Sequence, residues 1–241
     1  MEEQYTNGKY WEENGSFHEK ESDFKFQNFK TLIERNDKLP IIGIVDMGCG
    51  AGRIIWNFSN EYPAIKCAGV DLSEKIIEYA SGKYNRSNLS YFTETTFNGK
   101  EGDYNLVILA DVFEHIENYI GFLKNIKTKY QFQVFNIPLD LSIRYLLNDR
   151  PLQMRKSVGH LHYFYDKLIL KILEETGFTV IDYLYANNLE IETKNATGIS
   201  KYSQVVRKYL LKVLVKAIGE SLASKLYGGF SLTVLCKRKE D

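Results

Sequence analysis

The sequence predicts an α/β fold, with helices covering both faces of a mostly parallel sheet. Two observations carry that expectation. Short, nearly all-apolar runs such as Leu-Val-Ile-Leu-Ala at 106–110 recur between stretches with helical spacing, as strands buried on both faces require. The first such run, 41–47, passes through Asp46 and meets three alternate glycines, Gly48, Gly50 and Gly52, before a helical segment opens at Arg53. A strand, a bare turn and a helix start in that order make a seat for a ligand. Glycine reaches positive φ and has no Cβ, and a helix start carries unpaired N–H groups.

The remaining elements follow in order. Residues 1–25 are polar and aromatic, with Tyr5, Tyr10, Trp11, Phe17 and His18 among Glu, Asn and Gly. They lie outside the central fold, as a helix packed on the sheet edge or as a lid over the ligand. Phe24, Phe26, Phe29, Leu32 and Ile33 have the spacing of one helix face. After the strand at 41–47 and the helix at 53–61, strands are expected at 66–71, 89–94, 104–110, 132–137 and 178–185. Helices fall between them at 73–84, 116–129 and 166–175, with Ser73 as an N-cap and Gly177 closing the last. Residues 138–165 break the rhythm and gather Arg144, Arg150, Arg155, Lys156, His160 and His162. Residues 200–226 read as two amphipathic helices broken near Gly219, and 230–237 as a final strand.

Composition narrows the function classes. The chain has 241 residues, 44% hydrophobic and 26% charged, which suits one folded domain with a full core. Thirty-one basic and 31 acidic side chains cancel, whereas a general nucleic-acid binder shows a basic excess. Nucleic acid is therefore not an expected partner. Three scattered cysteines show neither metal spacing nor a disulfide framework, which points to a reducing cytoplasm. The acidic N-terminus is not a signal peptide, and no apolar run reaches the roughly 18 residues of a membrane span.

The turn itself discriminates between ligands. Its pattern is Asp-x-Gly-x-Gly-x-Gly, not the Gly-x-Gly-x-x-Gly that lays a pyrophosphate on a helix N-terminus. An acidic residue at the turn disfavours a pyrophosphate and favours a cationic ligand, such as a sulfonium beside an ammonium. Asp71 ends the second strand, where a carboxylate can accept both hydroxyls of a ribose.

Asp46–Gly52, Gly69-Val70-Asp71-Leu72-Ser73 and Asp111-Val112-Phe113-Glu114-His115-Ile116 together resemble the class I S-adenosylmethionine-dependent methyltransferases, in their small-molecule branch. Gly159-His160-Leu161-His162-Tyr163-Phe164, before a helix ending Glu-Glu-Thr-Gly-Phe, adds to the likeness. The resemblance covers about 41–185 and implies a Rossmann-like sheet of seven strands, the last antiparallel. It further implies S-adenosyl-L-methionine as cofactor and S-adenosyl-L-homocysteine as product. Asp46, Gly48, Cys49, Gly50 and Gly52 would hold the methionine part, and Asp71 with Leu72 the ribose. Thr95, in Glu94-Thr95-Thr96-Phe97, stands where an adenine contact is expected. Ala110 and Asp111 would border the methionine part and the transferable methyl. The domain then runs 1–241: a lid or helix at 1–38, a cofactor core at 39–185 with a substrate insert at 138–165, and a helical insert and last strand at 186–241.

The acceptor is addressed by other residues. Transfer of a methyl to a hydroxyl calls for a base, and histidine is suited to it near neutral pH. His115, His160 and His162 are the candidates, His160 and His162 alternating along one extended segment. Two ligands without a nearby carboxylate do not argue for metal, so none is expected. Arg144, Arg150, Arg155 and Lys156 suit a phosphate or carboxylate, with Tyr10 and His18 contributing from the N-terminal segment. The expected partner is therefore a small anionic acceptor: a sugar phosphate, a nucleotide-linked sugar, a phosphoramidate or a carboxylate. A surface-polysaccharide precursor fits by family analogy. Residues 200–226 place Val206, Leu210, Val213, Leu214, Ala217 and Ile218 on one side, expected against the chain's own domain or a sister subunit in a homodimer rather than on a membrane. The alternatives are a nicotinamide-dependent oxidoreductase and a non-catalytic cofactor-binding or membrane-associated partner subunit.

Overall fold

A computed structural model describes residues 9–36, 39–99, 102–187 and 198–239, with side chains described from residue 21 in the first stretch and from 205 in the last. Its centre is a seven-stranded sheet. The strands are β1 (Gly43–Met47), β2 (Lys66–Asp71), β3 (Leu89–Thr93), β4 (Leu106–Ala110), β5 (Phe132–Pro138), β6 (Phe178–Asn187) and β7 (Phe230–Arg238), in the order β3-β2-β1-β4-β5-β7-β6. The first five pair in parallel, and β7 runs antiparallel between β5 and β6. This is a Rossmann-like sheet of seven strands, with the antiparallel last strand the resemblance implies. The order reverses at β1 and β4, whose carboxyl ends open a crevice for a ligand.

Successive residues on the central strands face opposite sides, so each strand supplies two cores. Ile44, Leu106, Ile108, Val134 and Leu235 face one side. There they meet helix α1 (Lys9–Arg35), through Phe26, Phe29 and Leu32, and helix α2 (Arg53–Glu61), through Ile55 and Phe58. Val45, Val107, Leu109, Phe135 and Val234 face the other. Over them pack Leu123 and Ile126 of α4 (Tyr119–Lys129), and Ile169 and Leu173 of α7 (Asp166–Glu175). Helix α3 (Glu74–Lys83) covers β2 and β3. Both faces are closed, as the continuous apolar runs require.

Several elements differ from the sequence expectation. The helix anticipated from residue 24 belongs to one continuous helix from Lys9, because Gly15 alone is too weak a breaker to end it. The helix expected from 116 begins at Tyr119, behind a 3₁₀ turn at Phe113–His115. The irregular stretch after β5 holds two short helices, α5 (Ile143–Leu147) and α6 (Arg150–Ser157). Gly219, at φ 79°, separates α8 (Gly198–Ile218) from α9 (Glu220–Tyr227), where a break is expected.

The stripe on α8 is rotated from the expected one. Leu211 is buried and Leu214, Val215 and Ile218 pack partly on the core, a clean i, i+3, i+4, i+7 row. Val206, Leu210 and Val213 are left exposed, along with Val205 and Tyr209. Among the described residues no helix is long and apolar enough to cross a membrane.

Candidate active site

The turn after β1 is built by its neighbours as much as by its own glycines. Gly48 and Cys49 both donate backbone N–H groups to Val70 O, at 2.8 and 3.0 Å, which ties the turn to β2. Gly48 (φ 78°) and Gly52 (φ 83°) are left-handed. A Cβ at Gly48 would lie 2.8 Å from Val112 Cγ2, and one at Gly52 would lie 2.7 Å from the Tyr91 ring. At these two positions the missing Cβ admits β3 and the loop after β4 rather than a ligand, a correction to the reading of a uniformly bare turn. Gly50, at φ 51°, lies between them. Gly52 caps α2, whose first N–H groups face the crevice end of the sheet.

Two carboxylates flank this turn, and they differ in satisfaction. Asp71 accepts from Gly50 N–H (Oδ2, 3.0 Å) and Ser73 N–H (Oδ1, 3.0 Å), so it binds the glycine turn to the start of α3. Burial still raises its pKa. Asp46 is 1% exposed, and neither of its oxygens has a hydrogen-bond partner. Burial, and then the nearby Asp71 charge, push it up to about 7, with Lys25 pulling the other way. A buried carboxyl with no donor is a feature that a native structure must account for. Cys49 is buried beside them, and its thiol is pushed well above the ordinary range by burial.

The remaining cofactor candidates lie around the same crevice. Leu72 is exposed at the tip of β2. Thr95 Oγ1 lies 3.0 Å from Thr93 Oγ1 in the turn after β3, and Glu94 N–H donates to Asp71 O, which places this turn against the β2 tip. Ala110 ends β4. Asp111 follows in a left-handed conformation (φ 55°), tolerable for Asp but uncommon. Its N–H donates to Asn136 O, its Oδ1 accepts from Asn136 Nδ2 at 2.7 Å, and its Oδ2 accepts from Lys25 Nζ. Burial acts to raise the Asp111 carboxyl, but Lys25 and the two hydrogen bonds hold it below the ordinary carboxylate range. Lys25 in turn pairs with Glu21 at 3.2 Å.

Beyond Asp111 the histidines separate into two groups. His160 is buried, with Nδ1 2.7 Å from Asp140 Oδ2, and its ring meets His115 edge-on at 4.9 Å. His115 Nδ1 lies 3.3 Å from Gly159 O, and burial followed by His160 lowers its pKa to about 4. Glu114, fully buried, lies beside them with both oxygens unpartnered. Burial and then the Asp111 charge raise its carboxyl well above the ordinary range. His162 instead bonds Ile116 O through Nε2 (2.9 Å) and packs on Tyr119. It ties two loops together, a scaffolding position, so the alternation of the two histidines does not bring both to one group.

The basic residues of the insert do not converge. Arg144 stacks over Tyr227 at 4.5 Å, Arg150 lies 6.0 Å from the Tyr145 ring, and Arg155 and Lys156 are exposed on α6. The side chains of Tyr10 and His18, on α1, lie outside the described residues.

Sequence reasoning missed four residues. Lys25 and Asn136 fix Asp111, and Asp140 fixes His160. Glu114 supplies the carboxylate whose absence argued against metal, because residues 114 and 160 are far apart in sequence but adjacent across the loops. The one readable signal was Glu114 itself, a carboxylate beside His115 directly after an apolar strand.

A family model described as "Methyltransferase domain" matches residues 18–183. The malonyl-[acyl-carrier protein] O-methyltransferase of Bacillus cereus is 25% identical over 157 residues, 61% of this chain and 58% of that protein; the chain thus matches less than two thirds of that relative's length. Among solved structures, magnesium protoporphyrin IX methyltransferase from Synechocystis PCC 6803, with bound S-adenosylhomocysteine, superposes with a TM-score of 0.57 at 16% identity. That match covers 92% of this chain and 84% of the other. The plantazolicin methyltransferase BpumL, in complex with a monoazolic desmethylPZN analog and S-adenosylhomocysteine, gives 0.61 at 15% identity, covering 98% of this chain and 89% of the other. The chain belongs to this methyltransferase-domain family.

Proposed function

We propose that the enzyme methylates an oxygen of a small anionic acceptor, with the cofactor seated between Asp46, the glycine turn and Asp71. The observation that carries this reading is the buried, unpartnered carboxylate of Asp46. It supplies a negative group at the turn where a cofactor bearing an ammonium and a sulfonium needs one, and it would oppose a pyrophosphate. Asp71 is held by its backbone donors at the tip of β2, where a carboxylate can accept from a ribose. Leu72 and the Thr95 turn border the adenosine side, and Ala110 and Asp111 the methyl side. The cofactor, when bound, supplies a methyl already activated by its sulfonium charge.

What remains for the chain is to align the acceptor and exclude water. Lys25 and Asn136 hold Asp111 at the end of β4 and so fix one wall of the acceptor space. An oxygen acceptor must arrive deprotonated or lose its proton during transfer. The Glu114, His115, His160 and Asp140 group is the polar cluster close enough to Asp111 for that task, since the Asp111 charge is felt at both Glu114 and His115. Support for an anionic acceptor is the basic character of the segment after β5, where Arg155 and Lys156 are exposed, although its cations do not converge on one point. A phosphorylated, nucleotide-linked or carboxylate compound, including a surface-polysaccharide precursor, meets these demands. In this reading the N-terminal part of α1 acts as its lid.

The test is transfer of an isotopically labelled methyl into a host-cell small-molecule extract, with mass spectrometry of the product. The expected product carries the label on oxygen of a phosphate- or carboxylate-bearing compound. Label on nitrogen or carbon, or on a neutral acceptor alone, would contradict the reading.

A further inference from the structure

We propose that Glu114, His115 and His160 form a binding site for a divalent transition-metal cation on the turn after β4. Each of these side chains offers one donor atom, and the three donors lie within 4.8 Å of one another. Ligands about 2.1 Å from a common ion stand roughly 3.0–3.4 Å apart, so small side-chain rotations close the set.

Two further features distinguish this group from an ordinary buried polar cluster. A self-satisfied cluster would show hydrogen bonds among its members, yet Glu114 is fully buried and neither of its oxygens has a partner, from the imidazoles or from elsewhere. Such a group is costly to bury unless something answers it, and a cation between the two rings does so. The second feature is the orientation of His160. Its Nδ1–H points at Asp140 Oδ2, at 2.7 Å, in a pair where both side chains are nearly buried. That fixes the tautomer and leaves Nε2 as the donor, the carboxylate–imidazole arrangement that orients metal-bound histidines. Asp111 stays outside the set because Lys25 and Asn136 already occupy its two oxygens.

The donor chemistry selects the ion. Two imidazole nitrogens and one carboxylate suit zinc, iron, cobalt or manganese, whereas magnesium and calcium favour all-oxygen shells. Three protein ligands also leave a coordination position open. On the methyl-transfer reading, that position faces the task left to this cluster, holding and acidifying the acceptor oxygen.

Cation binding tests this without any transfer assay. The untagged, chelator-treated full chain would be titrated with Co2+, followed by visible absorption, and with Zn2+, followed by calorimetry. One equivalent should bind, with d–d bands of a mixed nitrogen and oxygen shell. E114Q and H160Q should each weaken binding about tenfold or more, and D140N, which keeps all three ligands, should weaken it to a similar degree. S-adenosylhomocysteine affinity measured on the same metal-free variants, unchanged within about threefold, shows that they remain folded. Lack of saturable binding overturns the proposal, as does binding indifferent to E114Q and H160Q in folded variants. Preference for Mg2+ over Co2+ and Zn2+ overturns the choice of ion. Because the readout is the cation itself, a failure here leaves the methyl-transfer reading standing, and a failure of that reading leaves this one standing.

Discussion

At the scale of single residues, the site is a set of buried charges answered to different degrees. Asp71 has two backbone donors, Asp111 has Lys25 and Asn136, and Asp46 has none. The consequence for pH has a definite sign. Burial raises Asp46 to about 7 in the folded protein, against roughly 3.9 for an unperturbed aspartate. The folded state therefore holds a proton that the unfolded state releases. Stability from this residue is fully present below the unfolded value and is lost as pH rises through about 7, by about 1.4 kcal/mol per unit within that window. Cofactor binding should run the other way, since a cationic ligand favours the ionised carboxylate. Affinity for S-adenosylhomocysteine, which keeps the ammonium, should rise between about pH 5.5 and 7.5 with release of a proton. Calorimetry in buffers of different ionisation enthalpy measures that proton. Asp46→Asn should abolish the dependence, and persistence of the same pH profile in that variant would remove Asp46 from the contact.

At the scale of elements, the parts most legible in sequence were those set by one dominant period. Strands β1, β2, β4 and β5 announce themselves as apolar runs because both faces are buried, and Gly219 marks the break between α8 and α9 because its φ is positive. The glycine turn, with Asp46 and Asp71 around it, was legible for the same reason: spacing along the chain carries the geometry. What was not legible depends on contacts between distant segments. Lys25 reaches Asp111 from a helix 86 positions away, and Asp140 reaches His160 only because the loop after β5 folds back. The buried stripe on α8 was misread because Leu211, not Leu210, points inward, and a one-residue shift on a helix turns the face by about 100°. Helix α1 offers a direct check on how an element supports the site. Phe29, completely buried against α2 and the sheet, anchors the helix that carries Lys25. Phe29→Ala should cost about 3–5 kcal/mol in chemical denaturation and should also weaken cofactor affinity. An unchanged denaturation midpoint would show that α1 is not held through this contact.

At the scale of the whole molecule, the fold brings its chemistry to one end of the sheet. The order reverses between β1 and β4, and the tips of β1, β2 and β4 deliver Asp46, Asp71 and Asp111 to the crevice there. The family match is to a methyltransferase domain, which speaks against the nicotinamide alternative. On the proposed reading the acceptor is addressed by the loops after β4 and β5, where Glu114, His115 and His160 gather. That reading puts cofactor and acceptor functions on separate loops and predicts that substitutions in one leave binding at the other largely intact. The central claim is that the turn from Asp46 to Asp71 holds the cofactor. Calorimetric titration of S-adenosylhomocysteine into the wild-type protein and into Asp71→Ala tests it most directly. Loss of a ribose contact made by a charged group, about 1.5–3 kcal/mol, predicts roughly a ten- to hundredfold rise in Kd. An unchanged Kd in a folded variant would contradict the account.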